Sequence, residues 1–97
     1  MTHTPSAKVV SSKDVLSREI QSETVLLDLK TENYFGLQGV AARIWQLIGD
    51  GVNVQDMATI LAAEYEIGEQ TAIKDLERFV GDLAEAGLVS FIQESAE

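Results

Sequence analysis

Cysteine is absent from this 97-residue chain, and histidine and proline each occur once. Without cysteine, the chain can form neither a disulfide framework nor a thiolate zinc site. The single histidine, His3, lies in a short polar segment at the N-terminus. There is also no G-x-S-x-G motif, no phosphate-binding loop and no dinucleotide fingerprint. We therefore expect no metal, no cofactor and no catalytic residues, so that the protein is not an enzyme.

Basic residues are scarce: seven lysines and arginines face 16 aspartates and glutamates, for a net charge of −9. This balance argues against nucleic acid, which requires a basic face, and against an anionic membrane surface. Nine of the acids but only two of the bases lie between Glu64 and Glu97. This acidic third either keeps the protein soluble or complements a basic partner surface.

Long hydrophobic runs are missing as well. No stretch of 18 apolar residues exists that could span a membrane, and no apolar run follows the N-terminus as in a signal peptide. We therefore expect a cytoplasmic protein with one modest core. We predict a flexible N-terminal arm at residues 1–13, a single domain at residues 14–92 and an acidic tail at residues 93–97.

Three short segments in the first half have the pattern of strands. We predict them at residues 15–20, 24–30 and 34–37, with a turn at residues 30–33 in which Asn33 tolerates a positive φ. In the third strand, alternation places Phe35 and Leu37 on the core face, while Gly36 leaves room for another backbone to approach. We expect this strand to form an open sheet edge, where a guest peptide can bind as an extra strand.

The second half has the pattern of three helices. Apolar residues at spacings of three, four and seven predict helices at residues 39–49, 53–68 and 70–86. Asn53 is the expected N-cap of the second helix, and Gly87 followed by Leu88 is the expected end of the third. The predicted fold class is α+β, a winged helix-turn-helix in which a three-stranded antiparallel β-sheet is followed by three α-helices.

Two known kinds of small domain fit these features poorly. An acyl or peptidyl carrier needs a modifiable serine at the start of a helix, and no serine precedes a convincing helix here. A winged-helix transcriptional regulator needs arginine, lysine, asparagine or glutamine on its recognition helix. The third helix instead presents four acids, Asp75, Glu77, Asp82 and Glu85.

Residues 27–88 resemble the PqqD-like family, the peptide-recognition domains of ribosomal peptide biosynthesis. The strand Tyr34-Phe35-Gly36-Leu37 and the helix start Ala42-Arg43-Ile44-Trp45 are most similar to the standalone recognition protein of lasso-peptide clusters. The remaining matching positions are Leu27-Asp28-Leu29, Asp75-Leu76, Phe79, Leu83 and Gly87-Leu88. Together the segments cover about two thirds of the chain in the family's order.

The resemblance implies a non-catalytic adaptor. Such domains bind the leader segment of a precursor peptide as an added strand, antiparallel to the third strand and beside the third helix. They present the precursor to a separate enzyme, which in lasso-peptide systems is a leader peptidase that acts before a macrocyclase. The expected partners are therefore a precursor leader peptide and a leader peptidase or other modifying enzyme. The alternatives are a peptide chaperone for a radical enzyme, as in pyrroloquinoline quinone biosynthesis, and a winged-helix regulator.

The resemblance also implies a peptide-binding groove between the third strand and the third helix. The strand supplies backbone groups, and helix positions beside the core residues supply the wall. Two side chains remain open at this point: Phe79 belongs either to the core or to the groove, and Tyr34 is either an ordinary surface ring or a contact. The candidate binding residues are Tyr34, Phe35, Gly36, Leu37, Ala72, Asp75, Phe79, Asp82 and Leu83.

Overall fold

The computed structural model describes residues 8–92, which form an α+β domain with two small antiparallel sheets and three helices. One sheet has the strand order β2-β3-β4 and precedes the helices, as expected, and the other pairs β1 with β5. The elements are β1 Lys8–Ser11, β2 Val15–Ile20, β3 Glu23–Asp28, β4 Asn33–Gln38, α1 Val40–Gly49, α2 Val54–Tyr65, α3 Glu69–Glu85 and β5 Val89–Ile92.

The prediction of a flexible arm is wrong for residues 8–11. These residues form β1, which pairs antiparallel with β5 so that Val9 lies opposite Phe91. Val9 is only 1% exposed and belongs to the hydrophobic core. The partner strand lies about eighty residues further along the chain, so no local pattern marks the pairing. Residues 1–7 and the predicted acidic tail at 93–97 lie outside the described residues.

The turn between β3 and β4 is organised by a buried carboxylate. Asp28, 5% exposed, accepts hydrogen bonds from the Lys30 N–H at 3.0 Å and from the Thr31 hydroxyl at 3.1 Å. The left-handed residue of this turn is Glu32, with φ 63°, whereas Asn33 already begins β4. The tolerance of asparagine for positive φ is therefore not used here.

The helix ends follow the sequence signals closely. The Asn53 side chain accepts a hydrogen bond from the Asp56 N–H at 2.8 Å and so caps α2, as predicted. After α3, Gly87 adopts φ 79°, and the Leu88 N–H donates to the Leu83 carbonyl at 2.9 Å. This is the left-handed helix stop that favours glycine, and Leu88 beyond it is buried, as predicted.

The core lies between the inner face of the three-stranded sheet and the helices. Trp45 belongs to it, as does Leu37 of β4, and Phe35 packs against it from the same strand face. The least exposed large side chains come from five different segments, which ties the strands and helices into one packed unit. They are Leu26, Met57, Leu76, Leu88, Val9 and Val80.

An ion pair joins α1 to α2. Arg43 donates to Glu64 through Nε at 3.0 Å and through Nη2 at 2.7 Å. The hydrogen bonds from Arg43 lower the pKa of Glu64 below its usual value of 4.5. Because the folded-state pKa is depressed, the pair stabilises the fold above the pKa of the unfolded chain, and this contribution disappears as pH falls through the folded value.

We therefore expect Glu64→Gln to lose less unfolding free energy than the wild type as the pH falls. Urea unfolding at pH 7 and at several pH values below 4.5 should show a smaller acid-induced loss for the variant than for the wild type. The effect should be small because both side chains remain partly exposed. Glu66→Gln removes the same charge two residues away without breaking this pair, and an equally small loss in that control would contradict the assignment.

Candidate functional site

Strand β4 is an open edge in the part of the chain that the structure describes. It pairs with β3 on one side, and none of the other strands within residues 8–92 lies along its second side. In an antiparallel pair, alternate residues direct their N–H and C=O groups away from the partner strand. The far side of β4 therefore offers backbone donors and acceptors to an added strand, as the sequence predicted for the edge.

The two faces of β4 differ as the alternation predicted. Leu37 is buried and Phe35 is half-buried against the core, whereas Tyr34 is 72% exposed on the opposite face. The space expected beside Gly36 is taken by a neighbour, because a Cβ added there would collide with the Glu23 carboxylate. Gly36 thus accommodates a flexible side-chain end from β3.

A groove of about 460 Å³ opens between α3 on one side and α1 and α2 on the other. Its α1 end begins at Val40, directly after Gly39 turns the chain out of β4 with φ 62°. The groove therefore starts where the open strand ends. Its lining residues are Val40, Ala41, Ile44, Leu61, Tyr65, Ile67, Ala72, Asp75, Leu76, Arg78, Phe79 and Asp82.

Four of the residues proposed from the sequence as the helix wall line this groove together: Ala72, Asp75, Phe79 and Asp82. Phe79 is half-buried, so it both packs against the core and faces the groove. Leu83 does not line it, and this side chain is 5% exposed in the core. The structure thus gathers the α3 positions into one surface, and their role in binding stays a prediction.

The wall opposite α3 was not predicted from the sequence. The groove residues of α1 and of the α2 end are apolar, and several are unusually exposed: Val40 at 47%, and Tyr65 and Ile67 at 39% each. A regular helical stripe assigns the α1 residues to the core. A sequence pattern does not show how exposed these residues are, and it is their exposure that marks them as the second wall of a site.

The lining of the groove is mostly apolar, and its charges lie on one helix. Its charged lining residues are Asp75, Arg78 and Asp82, all from α3 and all exposed. Among residues 8–92, no group of three or more histidine, cysteine or acidic side chains is placed to hold a metal ion. An apolar groove with a few charges beside an open strand suits an extended peptide with apolar side chains.

The outer face of the three-stranded sheet carries a second apolar surface. A cleft of about 520 Å³ there is lined by Leu16, Ser17, Arg18, Ile20, Val25, Leu27 and Tyr34. Leu16 and Ile20 are about half exposed, at 55% and 51%. Tyr34 faces this cleft rather than the α1–α3 groove, so its ring does not share the surface of Phe79.

Comparison with known proteins places the chain in a family. Residues 23–89 match the model of the PqqD family, described as coenzyme PQQ synthesis protein D. A search of curated proteins returned no significant match. Because the family match covers more than half of the sequence, the chain belongs to the PqqD family, which confirms the resemblance seen in the sequence.

Two solved structures share the fold over most of their length. One is TbiB1 in complex with the TbiA(beta) leader peptide, with 37% identity, a TM-score of 0.81, and coverage of 84% of this chain and 94% of that one. The other is lasso peptide synthetase B1 complexed with the leader peptide, with 29% identity, a TM-score of 0.80, and coverage of 86% and 98%. Both proteins are therefore similar to this chain as whole domains.

Proposed function

We propose that this protein is a non-catalytic adaptor that binds the leader segment of a ribosomally made precursor peptide and presents it to a separate processing enzyme. The observation that carries the proposal is its similarity, at 37% identity over nearly the whole domain, to a protein solved with a leader peptide. The open edge of β4 and the apolar groove beside it supply a surface for such a peptide. A winged helix-turn-helix is the architecture we propose for the sheet and helices.

In the proposed binding mode, the leader adds as a strand antiparallel to β4, with its inward side chains in the groove beside α3. Backbone hydrogen bonds contribute roughly 0.5–1.5 kcal/mol each, whereas ordering a peptide residue costs roughly 1–2 kcal/mol. The backbone hydrogen bonds alone therefore add little affinity. Two or three apolar leader side chains, at roughly 1.5–3 kcal/mol each, supply the rest. The apolar lining of the groove supports side-chain contacts as the main source of affinity.

The proposed enzyme partner is a leader peptidase of a lasso-peptide pathway, acting in the cytoplasm. Both structural matches are leader-peptide complexes, and one is called lasso peptide synthetase B1. The family description, coenzyme PQQ synthesis, favours a second candidate, a peptide chaperone for a radical enzyme.

Within residues 8–92, none of the helices is both long and apolar enough to cross a membrane.

An NMR titration tests the proposal. The ¹⁵N-labelled protein is titrated with a synthetic leader peptide from the neighbouring precursor gene, and a scrambled leader of the same composition serves as the control. We expect saturable shifts at the amides of residues 34–37 and along α3 with the leader only. No shift at high peptide excess, or equal shifts with the scrambled peptide, would contradict leader binding. Precursor cleavage by the neighbouring peptidase, with and without this protein, then tests presentation.

A further inference from the structure

The charges of the groove all lie on one wall. Asp75, Arg78 and Asp82 of α3 are its charged lining residues, whereas α1 and the end of α2 contribute only apolar residues and Tyr65. Within residues 8–92, neither of the two aspartate side-chain carboxylates makes a hydrogen bond or an ion pair. Two unengaged carboxylates therefore face the space that an added strand would occupy.

The two carboxylates flank Phe79 on the same wall, at separations somewhat shorter than the side-chain repeat of a strand. Along a helix, residues rise about 1.5 Å each, so Asp75 lies about 6 Å before Phe79 and Asp82 about 4.5 Å after it. In an extended peptide, side chains on one face repeat every second residue, roughly 6.5–7 Å apart. If an apolar side chain of a strand running along α3 contacts Phe79, its same-face neighbours lie near the two carboxylates.

We propose that the leader recognised by this protein carries a lysine or arginine two positions from the apolar residue that packs on Phe79, and that Asp75 and Asp82 select for this positive charge. The inference rests on the proposed leader-binding function and specifies the chemistry of the ligand at the same groove. It assigns a specificity role to two side chains on α3 and leaves the apolar contact as the main source of affinity.

Charge complementarity favours a basic residue over an acidic one in this place. The groove lining carries two carboxylates and one guanidinium, a formal charge of −1. Arg78 lies within one helical turn of both aspartates, and an acidic guest residue reaching it would also meet their repulsion. Arg43 of α1, on the facing side, does not line the groove and is already engaged by Glu64 at 2.7 Å. The electrostatic potential of the groove therefore favours a cationic side chain over an anionic one.

The test is a set of affinity measurements on the full chain with synthetic leader peptides from the neighbouring precursor gene. In one peptide series, each lysine or arginine is replaced singly by norleucine, which keeps an apolar stem and removes the charge. The protein variants are Asp75→Asn, Asp82→Asn and the matched control Glu85→Gln, which removes one charge from the same helix outside the groove lining. Fluorescence anisotropy is recorded at about 50 mM and about 500 mM salt.

We expect at least one of the two asparagine variants to lose about 3- to 5-fold in affinity for the natural leader at low salt, and less at high salt. That variant should show little loss for the norleucine peptide that lacks the selected base, because the two changes remove the same interaction. Glu85→Gln should change affinity by less than about twofold for either peptide.

The outcomes separate the inference from the proposed function. If the leader binds the wild-type protein and both asparagine variants behave as Glu85→Gln does, the charge selection is wrong while leader binding stands. The charge selection is equally wrong if no norleucine replacement changes the affinity. If the leader binds none of the proteins, leader binding and the charge selection are both overturned.

Discussion

Truncation of Phe79 to alanine should weaken leader binding by roughly 10- to 100-fold while the domain stays folded. The side chain is half-buried and is the one phenyl ring in the groove lining, so it offers the largest apolar contact on the α3 wall. Losing a buried aromatic contact costs roughly 1.5–3 kcal/mol, and each 1.4 kcal/mol is tenfold in affinity. Isothermal titration with the synthetic leader measures the change.

Tyr34→Ala is the matched control, because it removes an aromatic ring from β4 on the opposite face of the sheet. We expect it to change leader affinity by less than about threefold, since the proposed role of Tyr34 in binding is carried by its backbone. Urea unfolding must show that both variants are folded at the titration temperature. Phe79→Leu, which keeps part of the buried area, should fall between wild type and alanine.

The ranking of effects is what this comparison tests. If Tyr34→Ala weakens binding as much as Phe79→Ala, the leader lies on the outer sheet face rather than in the α1–α3 groove. If neutralising Asp75 or Asp82 costs more affinity than truncating Phe79, charge rather than apolar contact dominates recognition. Either result would overturn the assignment of Phe79 as the main anchor.

The features that the sequence predicted correctly depend on short-range physics. The N-cap at Asn53 and the helix stop at Gly87 depend on hydrogen bonds to residues a few positions away, so a local pattern contains the needed information. The same holds for the faces of β4, because strict alternation places Phe35 and Leu37 on one side. The resemblance implied that α3 forms a wall, and helical spacing then selected Asp75, Phe79 and Asp82, which lie at intervals of four and three.

The features that were missed depend on contacts between distant segments. The pairing of β1 with β5 joins the two ends of the described chain, so no local pattern could identify it. In β3, neighbouring leucines point to opposite faces of the sheet. The structure buries Leu26, while Leu27 lines the outer cleft. Alternation alone does not show which set faces the core, since both sets contain leucine.

Only the α3 wall of the candidate site was predicted, for the same reason. The regular pattern of a helix shows its apolar face but not the neighbours that the face packs against. That Val40 and Ile67 remain partly exposed beside Phe79 follows from how α1, α2 and α3 pack together. Leu83 is among the predicted site residues and lies one turn from Phe79, but it points into the core instead.

Backbone methylation of the leader should give an alternating pattern of affinity losses of at least about tenfold. If the leader adds as a strand to β4, every second amide donates to β4, and the amides between them point away. An N-methyl group on a bonded amide removes the donor, and it also places a methyl group in the roughly 4.8 Å gap between strands. Methylation at the intervening positions should leave affinity within about threefold of the parent peptide.

The intervening positions are the control for this experiment, because both sets of peptides carry the same added methyl group and the same loss of one donor to water. Any general effect of methylation on the free peptide therefore applies to both sets and cancels in the comparison. Uniform losses along the segment, or none, would show that the leader does not use the β4 edge, even if Phe79→Ala still weakens binding. Alternation in register with β4, together with a loss at Phe79, would require both the open edge and the groove, since neither surface alone predicts both results.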